Sequence, residues 1–252
     1  MAIEEVIQNQ SSADTNRIIQ GLWIGSELSL MEQLSITSFL LNGHEYHLYI
    51  YDEMKNIPAG TIVRDASEIL PASRIFQYKH FATYAGFANF FRYKLLLERG
   101  GWWADTDTVC LKRFDFPQEH VFATERGDEH DLVNSGIIKA PVGSQVMAYA
   151  WEVCQSKNPE QLVWGETGPR LMGEAVNRFS MENYVKPHIV FCPLGYWEWH
   201  KVLEPETGAL LDESSYAIHL WNEKWRASGQ DKNAPYHATC LYERLKSRYL
   251  QA

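Results

Sequence analysis

Cysteine is scarce in this sequence: Cys110, Cys154, Cys192 and Cys240 stand far apart, with no C-x-x-C pair among them. That spacing excludes a disulfide framework and the usual thiolate zinc site, and four reduced thiols are expected instead. Long apolar runs are missing too, none approaching the ~20 residues that cross a bilayer as a helix. The opening MAIEEVIQNQSSADTN has acids where a secretion signal needs cations, and no apolar centre, so a cytoplasmic protein is expected. Repeats, low-complexity tracts and linkers are also absent, so residues 17–252 are expected to form one domain behind a polar, flexible start at 1–16. Positive charge is short, with 23 Lys and Arg against 32 Asp and Glu, a net charge of -9. The overall field therefore repels nucleic acid, and no nucleic-acid partner is expected. The same deficit means that a negatively charged ligand needs a local cation or a placed arginine.

What is abundant is aromatic: nine Trp, thirteen Tyr and eleven Phe. Such rings fill cores, and they also stack on flat ligands and sugar faces. Hydrophobic spacing predicts a strand over 17–25 (RIIQGLWIG), then a helix opening at Ser26 and Glu27 and stopped by Gly43. A strand over 46–51 follows, making a β-α-β unit and hence a parallel sheet with both faces covered. Residues 83–99 carry Tyr84, Phe87, Phe91 and Leu95 at helical spacing, closed by Gly100-Gly101. Further strands are expected at 121–124, 132–140, 188–192 and 216–220, and helices at 145–155 and 169–179. The tail CLYERLKSRYL reads as an amphipathic helix.

The chemistry concentrates in FFRYKLLLERGGWWADTDTVCLK, residues 90–112. Asp105 and Asp107 are two apart, so in extended chain their carboxylates point to one side. Two such oxygens suit a hard divalent ion, Mn²⁺ or Mg²⁺, which can carry the charge of a departing diphosphate. A lone D-x-D arises by chance on solvated turns. Here it ends an otherwise apolar strand, where paired carboxylates are costly without a cation. Arg92, among Phe90, Phe91 and Tyr93, is costly to leave free for the same reason.

With these motifs, residues 17–112 resemble the DXD sugar-binding region of glycosyltransferase family 32. That family includes bacterial capsule and lipopolysaccharide enzymes and α-1,4-galactosyltransferases. A looser similarity reaches the glucosylating domains of large clostridial toxins. The family pattern I-I-H-x-x-W-x-G, S-D-x-x-R-Y and G-G-x-Y-x-D-x-D reads here as RIIQGLWIG, ANFFRY and GGWWADTD. The C-terminal half matches sparsely, through NSG at 134–136, TGP at 167–169 and HLWNEKW at 219–225. The resemblance implies an α/β fold of GT-A type, with a mixed, mostly parallel Rossmann-like sheet flanked by helices. It also implies a retaining, metal-dependent hexosyl transfer from a nucleotide-sugar, with a UDP-sugar expected, to a saccharide or lipid-linked glycan in polysaccharide or lipopolysaccharide synthesis.

Carried over position by position, Trp23 would stack on the donor's base, although a core Trp is the plain alternative. Arg92 would reach the donor's sugar or phosphate, Asn89 the sugar hydroxyls, Asp105 the ribose and sugar, and Asp107 the metal, with His219 completing its shell. Asn134 and Glu166 are the candidates near the reacting centre; a strand-end turn and a helix-start carboxylate are their plain alternatives. Among the departures from the pattern, Gln20 replaces His, Asn89 replaces Asp and Trp103 replaces Tyr. Two other enzyme readings, a sugar-nucleotide hydrolase or a nucleotidyltransferase, also use carboxylate-bound metal. The second wants a lysine-bearing glycine loop that RIIQGLWIGSE lacks. A non-catalytic carbohydrate-binding module would explain the aromatics but give Arg92 and the D-x-D no purpose. The stripe Leu241, Leu245, Tyr249, with Arg244, Lys246 and Arg248 beside it, either packs on the domain or gives weak peripheral membrane attachment.

Overall fold

The computed structural model describes residues 16–127, 130–206 and 211–251. Eight strands occur in it: β1 (Ile18–Leu22), β2 (Glu45–Ile50), β3 (Ile62–Asp65), β4 (Gly101–Ala104), β5 (Thr108–Cys110), β6 (Val121–Glu125), β7 (Leu132–Ala140) and β8 (Ala217–His219). Six form one sheet in the order β3-β2-β1-β4-β7-β6, and β5 pairs with β8 in a separate ribbon. Within the sheet β3, β2, β1 and β4 are parallel, and only β7 runs against its neighbours. Six α-helices accompany them: α1 (Leu30–Leu41), α2 (Ala85–Arg99), α3 (Gln145–Ser156), α4 (Leu171–Arg178), α5 (Asn222–Ser228) and α6 (Leu241–Leu250). The expected α/β class, with a mixed and mostly parallel sheet flanked by helices, is borne out.

Side-chain alternation along the strands divides the core. Leu22, Tyr49, Trp103 and Ile138 enter one cluster with Phe87, Phe91 and Leu95 of α2 and Val146 and Met147 of α3. Ile19, Leu48, Trp102 and Ile137 enter the other, with Ile36 and Phe39 of α1 and with Phe114. Trp102 and Trp103 are both buried, on opposite faces of β4. The wealth of aromatic residues is therefore spent largely on the core, where each fully buried large side chain contributes roughly 1.5–3 kcal/mol.

Several elements differ from the expectations. Helix α1 begins at Leu30, because Ser29 and Glu32 form the capping pair. The Ser29 hydroxyl accepts from Met31 N at 3.3 Å, and Glu32 accepts from Ser29 N at 2.8 Å. The expected strand at 188–192 is a 3-10 turn, His188–Val190, because Pro187 precedes it and Asp131 draws both the amide and the ring of His188. The helix expected from Pro169 becomes a π-type turn, Glu166–Arg170, broken at Gly168 and followed by α4. Of the polar start, residues 1–15 lie outside the described residues, but Asn16 is buried and not frayed. Its side chain donates to Phe116 O at 3.0 Å and accepts from Trp102 Nε1 at 3.2 Å.

The C-terminal stripe is resolved against the membrane. Leu241, Leu245 and Tyr249 are buried with Trp225, Val202 and Leu34, and α6 packs on α1. Lys246 turns inward, ion-paired to Glu243 at 2.5 Å. An apolar face used for packing is not free to enter a lipid interface. Among the described residues no helix is long and apolar enough to cross a membrane. All four cysteines are buried and free.

Candidate functional site

In open parallel sheets, ligands sit beyond the carboxyl ends of the strands, where the strand order reverses. That reversal falls here between β1 and β4. Trp23 follows β1 and Asp105 follows β4, so both stand at this edge. Antiparallel β7 begins there, Asp105 N donating to Gly136 O at 2.8 Å. The turn into β4 depends on Gly100 and Gly101, whose φ values of 61° and 88° disfavour other residues. A side chain at Gly100 would also stand 2.7 Å from Val142 N.

Asp105 is held by permanent charge. Arg92 Nη2 lies 3.0 Å from its Oδ1 and Nη1 lies 3.4 Å from its Oδ2, while Trp103 Nε1 donates to Oδ1 at 2.8 Å. The guanidinium is buried over the Trp103 ring, 4.9 Å from its centroid, and also donates to Ser135 O and to Ala88 O. Trp103, a departure from the family pattern, thus gives Asp105 an indole donor. Burial and the neighbouring Asp107 raise the Asp105 carboxyl above its usual value against the pull of Arg92.

Asp107 is held differently. Its Oδ2 accepts from Asn222 N at 2.7 Å and lies 3.1 Å from His219 Nε2. Leu220 N donates to its backbone oxygen at 2.9 Å, and Thr108 pairs with His219 across the β5–β8 ribbon. Burial works to raise the Asp107 carboxyl, but His219 and the Asn222 amide outweigh it and leave it below its usual value. Burial likewise opposes the charge on His219, and Asp107 and the Cys192 thiol overcome it to raise the ring well above the ordinary histidine value. Trp221 stacks on His219 with centroids 4.1 Å apart, at φ 61° and ψ 53°. A left-handed Trp costs on the order of 1–2 kcal/mol, so the ring is placed against local preference.

Ligand atoms of Asp105, Asp107 and His219 lie within 4.8 Å of one another. This oxygen, oxygen and nitrogen set suits Mn²⁺ or Mg²⁺, and the residues fit such an ion. Arg92 already occupies Asp105, which leaves Asp107 and His219 as the groups that could hold such an ion.

Asn134 and Asn89 flank the cluster. Asn134 donates to Glu125 and accepts from Gly136 N. A side chain at Gly136 would meet Asp105 Oδ2 at 3.0 Å. Glu125 is raised above the usual carboxylate range by its partial burial, and it also feels the His219 charge. Sequence reasoning missed it, since a lone acid ending a strand carries no signal. Asn89 is buried at the Thr167 hydroxyl and Ser135, at 3.4 Å from each. Gln20 proves structural, donating to Gly100 O at 2.8 Å within the sheet.

Two candidates stand apart from the carboxylates. Glu166 is engaged at one oxygen by Lys157, 2.6 Å away, and at the other by Val163 N, 3.1 Å away. These partners hold it below its usual value, and it does not join the cluster; its plain role at a turn prevails. Trp23 is half-buried and lines a cleft of about 430 Å³ together with Asn222 and Lys232. Lys232 Nζ lies 5.3 Å from the centroid of its ring and pairs with buried Glu32 at 2.5 Å.

Residues 30–126 match a family model described as the glycosyltransferase sugar-binding region containing the DXD motif. Asp105 and Asp107 are its D-x-D. This stretch is thus similar to a DXD sugar-binding region. The resemblance seen in the sequence is borne out at that level; β1 with Trp23 precedes the DXD region, and NSG, TGP and HLWNEKW follow it. Mouse (Mus musculus) lactosylceramide 4-alpha-galactosyltransferase is 24% identical over 172 residues, covering 63% of this chain and 45% of the mouse enzyme. The chain thus spans less than half of that relative's length. Among solved structures, the PaToxG glycosyltransferase aligns over 69% of this chain and 76% of its own, with 18% identity and a TM-score of 0.48. A transferase mutant with two cysteines replaced by serine aligns over 66% and 85%, with 11% identity and a TM-score of 0.43.

Proposed function

We propose that this protein is a metal-dependent, retaining glycosyltransferase, moving a hexosyl group from a nucleotide-sugar to a saccharide acceptor. The observation that carries the reading is the Asp105, Asp107 and His219 cluster at the carboxyl edge of the sheet, within and beyond a DXD region. Asp107 and His219 would hold a divalent cation, which when bound would supply positive charge for a departing diphosphate. The chain's own residues do the positioning. Asp105, kept rigid by Arg92 and Trp103, accepts hydroxyls of the donor's ribose and sugar. Asn89, Thr167 and Ser135 offer polar atoms beside it, and Asn134 stands between Glu125 and Gly136 at the same edge. Trp23 offers the base a ring across the cleft that Asn222 shares. Retention without a placed nucleophile rests on orientation and electrostatics; Glu166 is not needed for it.

A UDP-sugar is the preferred donor in this reading. The mouse relative's name makes a galactosyl group the first sugar to try. A role in polysaccharide or lipopolysaccharide synthesis, a lipid-linked acceptor, a cytoplasmic location and a single domain over 17–252 complete the proposal. The test is a panel of UDP- and GDP-sugars with Mn²⁺, read by nucleotide release and thermal stabilisation. One donor should turn over, EDTA should stop it, and Mn²⁺ should restore it. A panel with no turnover and no stabilisation, or turnover indifferent to EDTA, overturns the reading.

A further inference from the structure

Tyr196 and Trp197 are each 41% exposed, and Phe81 and Trp164 are the other open rings at 47% and 44%, in a chain that buries most of its aromatics. Apolar surface left open in this way marks a place of contact. The pair is joined to the metal cluster by rings. Trp221, stacked on His219, has its centroid 6.4 Å from Tyr196 at 73°, and Tyr196 meets Trp197 at 5.1 Å and 86°. Two cations flank the pair. Lys224 Nζ lies 4.5 Å from the Tyr196 centroid, and Arg126 Cζ lies 5.2 Å from that of Trp197. Arg126 directly follows Glu125, the partner of Asn134, so this wall and the site share strand β6. Lys224 has no ion pair among the described residues. The Trp197 ring is seated on Gly195, where a Cβ would stand 2.9 Å from it, so its position is fixed before any ligand arrives.

We propose that Tyr196 and Trp197 form the platform that receives the saccharide acceptor, with Lys224 donating to its hydroxyls. The inference rests on the transferase reading above for the word acceptor, while the platform itself rests on the rings. A pyranose turns C–H bonds of partial positive charge from one face, which the negative face of an indole attracts, and its hydroxyls at the rim suit the Lys224 ammonium, held beside the Tyr196 ring without an ion pair among the described residues. Two rings at right angles, continuous with the cluster, give such a ligand a floor and a wall leading towards the reacting edge.

Saturation-transfer NMR on the full chain, with UDP and Mn²⁺ present and lactose, maltose or cellobiose as probe, tests this. The wild type should saturate ring C–H protons of at least one disaccharide, and Trp197→Ala should cut that signal at least about fivefold. Trp197→Leu, which keeps apolar bulk without a π face, should do the same and stands in if the alanine variant fails to fold. Trp164→Ala removes a comparably exposed Trp, 44% open, and should leave the signal unchanged. Equal signals from the wild type and Trp197 variants, an equal drop in Trp164→Ala, or no signal from any probe would overturn the platform. UDP binding, read by calorimetry on the same samples, separates the two ideas. A saccharide signal that disappears in the Trp197 variants, while neither wild type nor variants bind UDP, leaves the platform standing and removes the transferase reading. UDP binding together with a saccharide signal indifferent to Trp197 does the reverse.

Discussion

Asp105 and Asp107 belong to one three-residue motif, yet they sit in opposite kinds of surroundings. Asp105 faces the Arg92 guanidinium together with an indole N–H. The guanidinium offsets its charge, and its geometry is set by these two donors. Asp107 faces His219, whose ring can give up its proton, and one backbone N–H. Its neutralising charge is exchangeable, and a neutral imidazole is itself a metal ligand. In the proposed function the first arrangement would serve as a rigid acceptor of hydroxyls and the second as a place for an ion. A D-x-D motif, read as two equivalent ligands, hides that division of labour.

The largest effect should come from breaking the Asp107 side. Asp107→Asn keeps the shape and the acceptor for Asn222 N but removes the charge. Turnover should fall by about a thousandfold or more, near 4 kcal/mol of lost transition-state stabilisation, while circular dichroism and melting show a folded protein. Activity within tenfold of wild type would place the ion elsewhere and erase the contrast.

Breaking the Asp105 side should show first as lost stability. Arg92→Met fills similar space and strands a largely buried carboxylate, which costs about 3–5 kcal/mol when one partner of a buried pair is removed. Adding Asp105→Asn should return a large part of that loss, because no uncompensated charge then remains. Urea denaturation of the two single variants and the double variant measures the coupling. Simple additivity would mean that Arg92 does not neutralise Asp105.

The same contrast explains what could be read from the sequence. The Asp105 hydrogen-bond partners Arg92, Trp103 and Gly136 lie between Asn89 and Gly136, and their outlines show in local pattern: a helix with a costly arginine, paired glycines, an apolar strand ending in acids. The opening β-α-β unit and β7 are visible for the same reason, since period and punctuation are local signals. His219 stands 112 positions from Asp107, and only the family resemblance pointed to it. Asn222 N is a backbone group and leaves no trace in composition, and Glu125 is one acid among many. Short β3 was not anticipated, because Ile62–Asp65 has one apolar pair and an exposed face. The C-terminal stripe was ambiguous because the same spacing serves a core and a membrane, and only the packing of α6 on α1 decides between them.

The smallest effect is expected from Glu166, and it sharpens the comparison by marking where the site ends. Glu166→Gln keeps the side chain's length and leaves an oxygen for Val163 N, losing only the pairing with Lys157, which is exposed to solvent. Its neighbour Thr167 points the other way. Thr167 is buried, its hydroxyl accepts from Asn89 and its backbone oxygen accepts from Tyr93 at 2.8 Å. Thr167→Val is nearly isosteric and deletes the hydroxyl that accepts from Asn89. Steady-state kinetics should therefore show kcat/KM within about threefold of wild type for Glu166→Gln and a clearly larger drop for Thr167→Val. A hundredfold loss in Glu166→Gln with normal Thr167→Val activity would mean that the turn reorganises during the reaction and brings the carboxylate in, and the boundary of the site would move outward to include it.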